Sequence, residues 1–129
     1  MADIIQLAEA VAKEVEGDVM FAPELDLKGI KEMRVIVVPL GLGMKPIARG
    51  ASEDTLKVQI GILKKCTEDE IVDLVNSVIT IGRGFLDKKL AGATCTHIDY
   101  NPLYYPEHLR ERRQFTGVIE LTFKAVANR

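Results

Sequence analysis

Thr55-Leu-Lys-Val-Gln-Ile-Gly-Ile-Leu places Leu56, Val58, Ile60 and Ile62 on one side of an extended chain and Lys57 and Gln59 on the other. Side chains alternate faces along a strand, so this pattern predicts a strand with one face on a core. Upstream, Met33-Arg-Val-Ile-Val-Val-Pro is β-branched and apolar on both faces apart from Arg34. That composition suits a central strand covered on both sides and stopped by Pro39. Downstream, Phe115, Ile119, Leu121, Phe123 and Ala125 oppose Thr116, Val118, Glu120, Thr122 and Lys124, which predicts a closing strand to Val126. Ala93-Thr-Cys-Thr-His-Ile-Asp-Tyr and the short Asp18–Ala22 stretch are further strand candidates.

Helical spacing governs two other segments. Ile4, Leu7, Ala8, Val11 and Val15 form an apolar stripe behind a capping Asp3, with Gln6 placed to reciprocate, and the pattern ends near Gly17. Thr67-Glu-Asp-Glu is a capping-box signature opening a second helix whose stripe is Ile71, Leu74, Val75, Val78 and Phe85. The acidic residues Asp69, Glu70 and Asp73 fall in its first turns, where capping and the helix dipole explain them better than an acid pair does. Gly82 and Gly84 weaken its end, so either the helix bends there or something packs close against it.

Two helices and about four strands in mixed order predict an α+β domain: a mixed, largely antiparallel sheet flanked by two helices. At 129 residues the chain, 1–129, is a single domain with one core. Between the first two long strands, Gly41-Leu-Gly-Met-Lys-Pro-Ile-Ala-Arg-Gly-Ala-Ser reads as a long, glycine-rich β-hairpin arm whose Met44, Ile47 and Arg49 can reach a neighbour. Gly41-Leu-Gly itself is no phosphate-binding loop, because it lacks a third glycine, a following helix and a Lys-Ser or Lys-Thr ending.

Composition narrows the function. Hydrophobic residues make up 47% of the chain and charged residues 28%, the balance of a folded globular protein. A formal net charge of −2 leaves no basic excess to hold nucleic acid non-specifically. Cys66 and Cys95 are too few for a disulfide framework and lack zinc-ligand spacing, which points to reduced thiols in a cytosolic setting. The amino-terminal sequence has no signal-peptide pattern, and no apolar run approaches bilayer length.

Two clusters could carry function. Cys95, His97 and Asp99 alternate along a strand and so are expected to project from one face, the only arrangement here that could build a metal site or a thiol nucleophile with its base. His108 has no motif tying it back to them, and a half-exposed strand face explains the trio better. The second cluster is Tyr100-Asn-Pro-Leu-Tyr-Tyr-Pro-Glu-His-Leu-Arg-Glu-Arg-Arg-Gln-Phe, a polar elbow leading into the last strand. Tyr104 and Tyr105 beside Arg110, Arg112 and Arg113 have the composition of an interaction surface on a sheet edge. The competing explanations are packing of the tyrosines over the core and surface pairing of the arginines with Glu107 and Glu111.

Taken together, Pro23-Glu-Leu-Asp-Leu-Lys through Met33-Arg-Val-Ile-Val-Val-Pro, the break at Gly50-Ala-Ser and the Tyr100 to Thr116 elbow resemble the tail terminator, or tail-completion, proteins of long-tailed bacteriophages and prophages, which act in head-to-tail joining. The resemblance implies a mixed sheet flanked by helices and a virion protein that assembles in the host cytoplasm as a homo-oligomeric ring, a hexamer in that class. Such a ring caps the tail tube and meets the head-to-tail connector or stopper protein. It implies no catalytic residue, and the charge, apolar-run length and spacing above point to no metal or cofactor, no specificity for nucleic acid and no membrane partner. Another neck protein, a stopper or adaptor, or the tail tube subunit is the nearest alternative. From another class, the alternative is a small α+β enzyme or ligand-binding module using Cys95, His97 and Asp99.

Overall fold

A computed structural model describes residues 3–21, 33–100 and 102–128. The Pro23-Glu-Leu-Asp-Leu-Lys stretch and Ala22 lie outside the described residues. The elements are α1 (Ile4–Val15), β1 (Asp18–Val19), β2 (Arg34–Ala48), β3 (Ala51–Lys65), α2 (Ile71–Arg83, entered through a 3-10 turn at Glu68–Glu70), β4 (Lys89–Leu90), β5 (Ala93–Asp99), α3 (Pro106–Arg112) and β6 (Gln114–Asn128). The architecture is α+β, a curled six-stranded sheet in the order β1-β2-β3-β6-β5-β4. All neighbours are antiparallel except β1, which joins β2 in parallel at Ile36 and Val37.

The face read from the Thr55–Leu63 pattern is buried as expected. Leu56, Val58, Ile60 and Ile62 line up with Val35 and Val37 of β2 and with Ile119, Leu121 and Phe123 of β6. Helix α1 lays Leu7, Ala8, Val11 and Ala12 on this face, and α2 adds Leu74 and Val78. Burying each large aliphatic side chain is worth about 1.5–3 kcal/mol, so this layer supplies most of the drive to fold. On the reverse face Ile36 and Leu63 form a small second cluster with Met20.

Local signals fix the ends of the helices. The Asp3 carboxylate accepts from the amides of Ile5 and Gln6, and Glu16 closes α1 in the left-handed conformation. The Thr67–Glu70 capping box forms, with the Thr67 amide donating to Glu70 Oε1. The other Glu70 oxygen takes Lys64 Nζ at 2.6 Å, which ties the end of β3 to the start of α2.

Three expectations change. The central strands are β3 and β6, not β2, which has only two residues of β1 beyond it. The Gly41–Ser52 stretch is not a separate hairpin arm. It is strand, because β6 pairs with β3 all the way from Lys65↔Gln114 to Ala51↔Asn128 and backs the hairpin to its tip. The turn is only Arg49 and Gly50, and Gly50 takes φ 79, which a side chain would strain. Third, the elbow contains a helix. Pro106 occupies its first turn, where the missing amide hydrogen costs nothing, and Arg113 ends it with φ 51.

Candidate interaction surfaces

The residues proposed from sequence fall in two places, at opposite ends of β3. Met44 and Ile47 lie on the outer half of β2 and Arg49 lies in the turn, all exposed. Tyr104, Tyr105, Arg110, Arg112 and Arg113 lie in or beside α3, near the other end of β3, where the Cys66 amide donates to the Arg113 carbonyl at 3.0 Å.

The outer half of β2 is the larger apolar exposure. Beyond Val38 every residue of β2 except half-buried Pro39 is exposed, and Leu40 (45%), Leu42 (45%), Met44 (58%) and Ile47 (51%) are four of the ten large apolar side chains exposed among the described residues. Single exposed leucines are ordinary on a protein surface, whereas four exposed apolar side chains within eight residues of one strand are a local concentration of apolar exposure of the kind found at interaction sites. Bulges at Leu40 and Ile47, together with Pro39 and Pro46, break the regular ladder on this strand. Leu42 and Met44 share the face of Leu56 and Asp54, their partners across the ladder. The alternation Leu40, Leu42, Met44 is legible in the sequence, but the glycines between favour a free-standing hairpin arm over a strand backed to its tip.

Asp54 had no such signal. It is fully buried, takes the Ser52 hydroxyl on Oδ1 at 2.9 Å and leaves Oδ2 without a hydrogen bond among the described residues. A carboxylate oxygen buried in this way is costly to the fold.

Around α3 the tyrosines are half-buried packing residues. The Tyr104 ring stacks on Phe115, with centroids 5.8 Å apart, and Tyr105 stacks on His108 at 4.9 Å. Backbone contacts bind this segment to β6 through a Tyr104–Gly117 bridge and the Tyr105 amide on the Thr116 carbonyl. His108 Nδ1 lies 2.9 Å from the Thr116 hydroxyl, which accepts from Gln114 Nε2 and is placed to donate to a neutral imidazole. Burial first, then the charge of Arg112, holds His108 below its ordinary pKa.

The arginines are different. Arg110 and Arg113 have no ion pair or side-chain hydrogen bond among the described residues, so neither is paired with Glu107 or Glu111. Both line a cleft of about 450 Å³ with Cys66, Thr67, Glu68, Pro106 and Leu109. Burial pushes the Cys66 thiol up, which leaves it a neutral, apolar contributor to that cleft.

Cys95, His97 and Asp99 do not form the expected common face. A bulge at Thr96 shifts the register, so Cys95 pairs with core-facing Phe123 while His97 pairs with Thr122 and Asp99 with Glu120, on the reverse face. Cys95 is fully buried and burial raises its pKa, whereas His97 and Asp99 are exposed. No group of three or more His, Cys, Asp or Glu side chains among the described residues is arranged to hold a metal ion.

No protein-family model matches the chain, and no curated protein is significantly similar to it. No described helix is long and apolar enough to cross a membrane.

Proposed function

We propose that this chain is a structural subunit of a long-tailed bacteriophage, a tail terminator that forms a ring, caps the tail tube and joins it to the head connector. The observation that carries an assembly role is the apolar outer half of β2, where Leu40, Leu42, Met44 and Ile47 stand exposed on an otherwise well-packed domain. A ring needs a heterologous interface that closes about an axis, with one patch of each subunit meeting a different patch of the next. The outer half of β2 supplies one such patch, exposed on each subunit. The resemblance of the Tyr100–Thr116 elbow and the Met33–Pro39 strand to tail terminators specifies the kind of assembly.

In this role the protein works through shape and surface. Its partners are further copies of itself, the last ring of the tail tube and the connector or stopper, and its place is the neck of the virion after assembly in the host cytoplasm. The separation of Cys95 from His97 and Asp99 removes the particular constellation on which an enzymatic alternative was built.

The test is particle mass by light scattering together with negative-stain imaging of the purified protein. Six-fold annuli and restoration of tail joining to filled heads are the expected results. Open tubes would make the chain a tube subunit, and small monomeric globules at high concentration would remove the assembly reading.

A further inference from the structure

The cleft between the start of α2 and α3 is chemically unlike the β2 patch. Its apolar surface comes from Leu109, Pro106 and the neutral Cys66 thiol, and Arg110 and Arg113 stand at it one helical turn apart. Guanidinium groups are ordinarily matched to carboxylates or phosphates, in forked pairs where geometry allows. Here neither has an ion pair or side-chain hydrogen bond among the described residues, although Glu107 and Glu111 are close in sequence.

The backbone at Arg113 is held from both sides. Its amide donates to the Leu109 carbonyl at 3.1 Å, and its carbonyl accepts from Cys66 at 3.0 Å. It sits at φ 51, a conformation that favours glycine, yet the position carries a long cationic side chain. The Cα from which that guanidinium projects is therefore fixed relative to α2 and β3. A volume of about 450 Å³ falls in the ordinary range of ligand-binding clefts, roughly 300–1,000 Å³.

We infer that this cleft docks an acidic, partly apolar extended segment of a partner protein, with Arg110 and Arg113 taking its carboxylates and Leu109, Pro106 and Cys66 taking an apolar side chain between them. A polyphosphate fits less well. Glu68 lies in the lining, Glu107 and Glu111 are on the same helix, and the whole chain is net negative, so a continuous run of negative charge meets repulsion that two spaced carboxylates avoid. The inference does not depend on ring formation, because the cleft lies at the opposite end of β3 from the β2 patch and is complete within one subunit.

The experiment is fluorescence anisotropy of the full chain with a fluorescein-labelled twelve-residue peptide of alternating Glu and Leu. A matching Lys and Leu peptide and a twelve-nucleotide single-stranded DNA serve as competitors. Saturable binding of the acidic peptide that weakens with salt is expected, with no competition from the other two. Arg113→Gly relieves the left-handed backbone while removing the guanidinium. It should keep or raise the melting temperature and weaken binding about tenfold, as loss of an interface arginine does. Arg110→Ala should weaken binding comparably at unchanged melting temperature. No binding of the acidic peptide, equal binding by the double variant, or displacement of the peptide by the DNA would overturn the inference.

Discussion

Tyr100 lies directly across Gly82, with its hydroxyl donating to the Ile79 carbonyl at 2.8 Å. A Cβ at residue 82 would meet the phenol ring, including Tyr100 Cε1 at 2.8 Å, so the glycine late in α2 is there for close approach. The contact locks the end of β5 onto the last turns of α2.

Gly82→Ala should therefore destabilise the protein although alanine is the better helix former. The propensity gain is about 1 kcal/mol and overpacking costs about 1–3 kcal/mol, so a net loss is expected. Tyr100→Phe should cost about 0.5–1.5 kcal/mol through the lost hydrogen bond. Urea unfolding checks both. Truncating Tyr100 to Ala should cancel most of the Gly82→Ala penalty, and strict additivity in the double variant would refute the contact.

The α3 elbow should loosen in mild acid. His108 titrates below its ordinary value of 6.5 in the folded protein, so the unfolded chain takes the proton first. Its contribution is whole above that value and is lost as pH falls through it toward the lowered folded value. Wild type should lose stability as pH falls below about 6.5, toward the lowered folded value. His108→Gln should lose less over the same window. Glu70 acts at lower pH, because Lys64 holds its carboxyl below the ordinary 4.5 and its stabilisation disappears only as pH falls through that lowered value. Equal acid sensitivity in wild type and His108→Gln would exclude the histidine as the source.

Cys95 and His97 should be uncoupled through their side chains, since the Cys95 thiol meets His97 at its backbone carbonyl, 3.8 Å away. Cys95→Ala should cost about 1 kcal/mol, as a buried truncation does, and His97→Ala should stay within about 0.5 kcal/mol. Native Cys95 should react slowly with thiol reagents, and the rate should not change in His97→Ala. Tight stoichiometric zinc lost in either variant would contradict the register shift at Thr96.

That bulge marks where sequence reading stops. Alternation in Leu56–Ile62 and Phe115–Ala125 and helical spacing in α1 and α2 are local periodicities enforced by one shared core, and they carried through to the structure. A one-residue insertion at Thr96 leaves no local trace, because it exists only in the pairing with β6, yet it divides the one cluster that looked chemical. Helix α3 is hidden for another reason: seven residues with mixed charge make no apolar stripe, and a proline such as Pro106 fits an elbow as well as a helix start. The burial of Asp54 depends on cover from distant chain, so no window of sequence contains it.

Assembly should depend on the outer half of β2. Leu42 and Met44 are about half exposed in the isolated subunit, so replacing both with lysine removes little intramolecular packing. Each change should stay within about 0.5 kcal/mol in stability, since lysine is common on natural edge strands. At a subunit interface the Leu42→Lys charge, across from apolar Leu56, is buried without a partner, which costs several kcal/mol and is enough to dissociate a ring. The double variant should retain its melting temperature as a monomer, lose high-mass particles by light scattering, and fail to join tails to filled heads. Arg49→Ala, at the adjacent turn, should give a weaker effect that fades as salt is raised, the behaviour of a rim charge. Wild-type particle mass in the Leu42→Lys, Met44→Lys variant would take the β2 patch out of the interface and leave the assembly proposal without its main support.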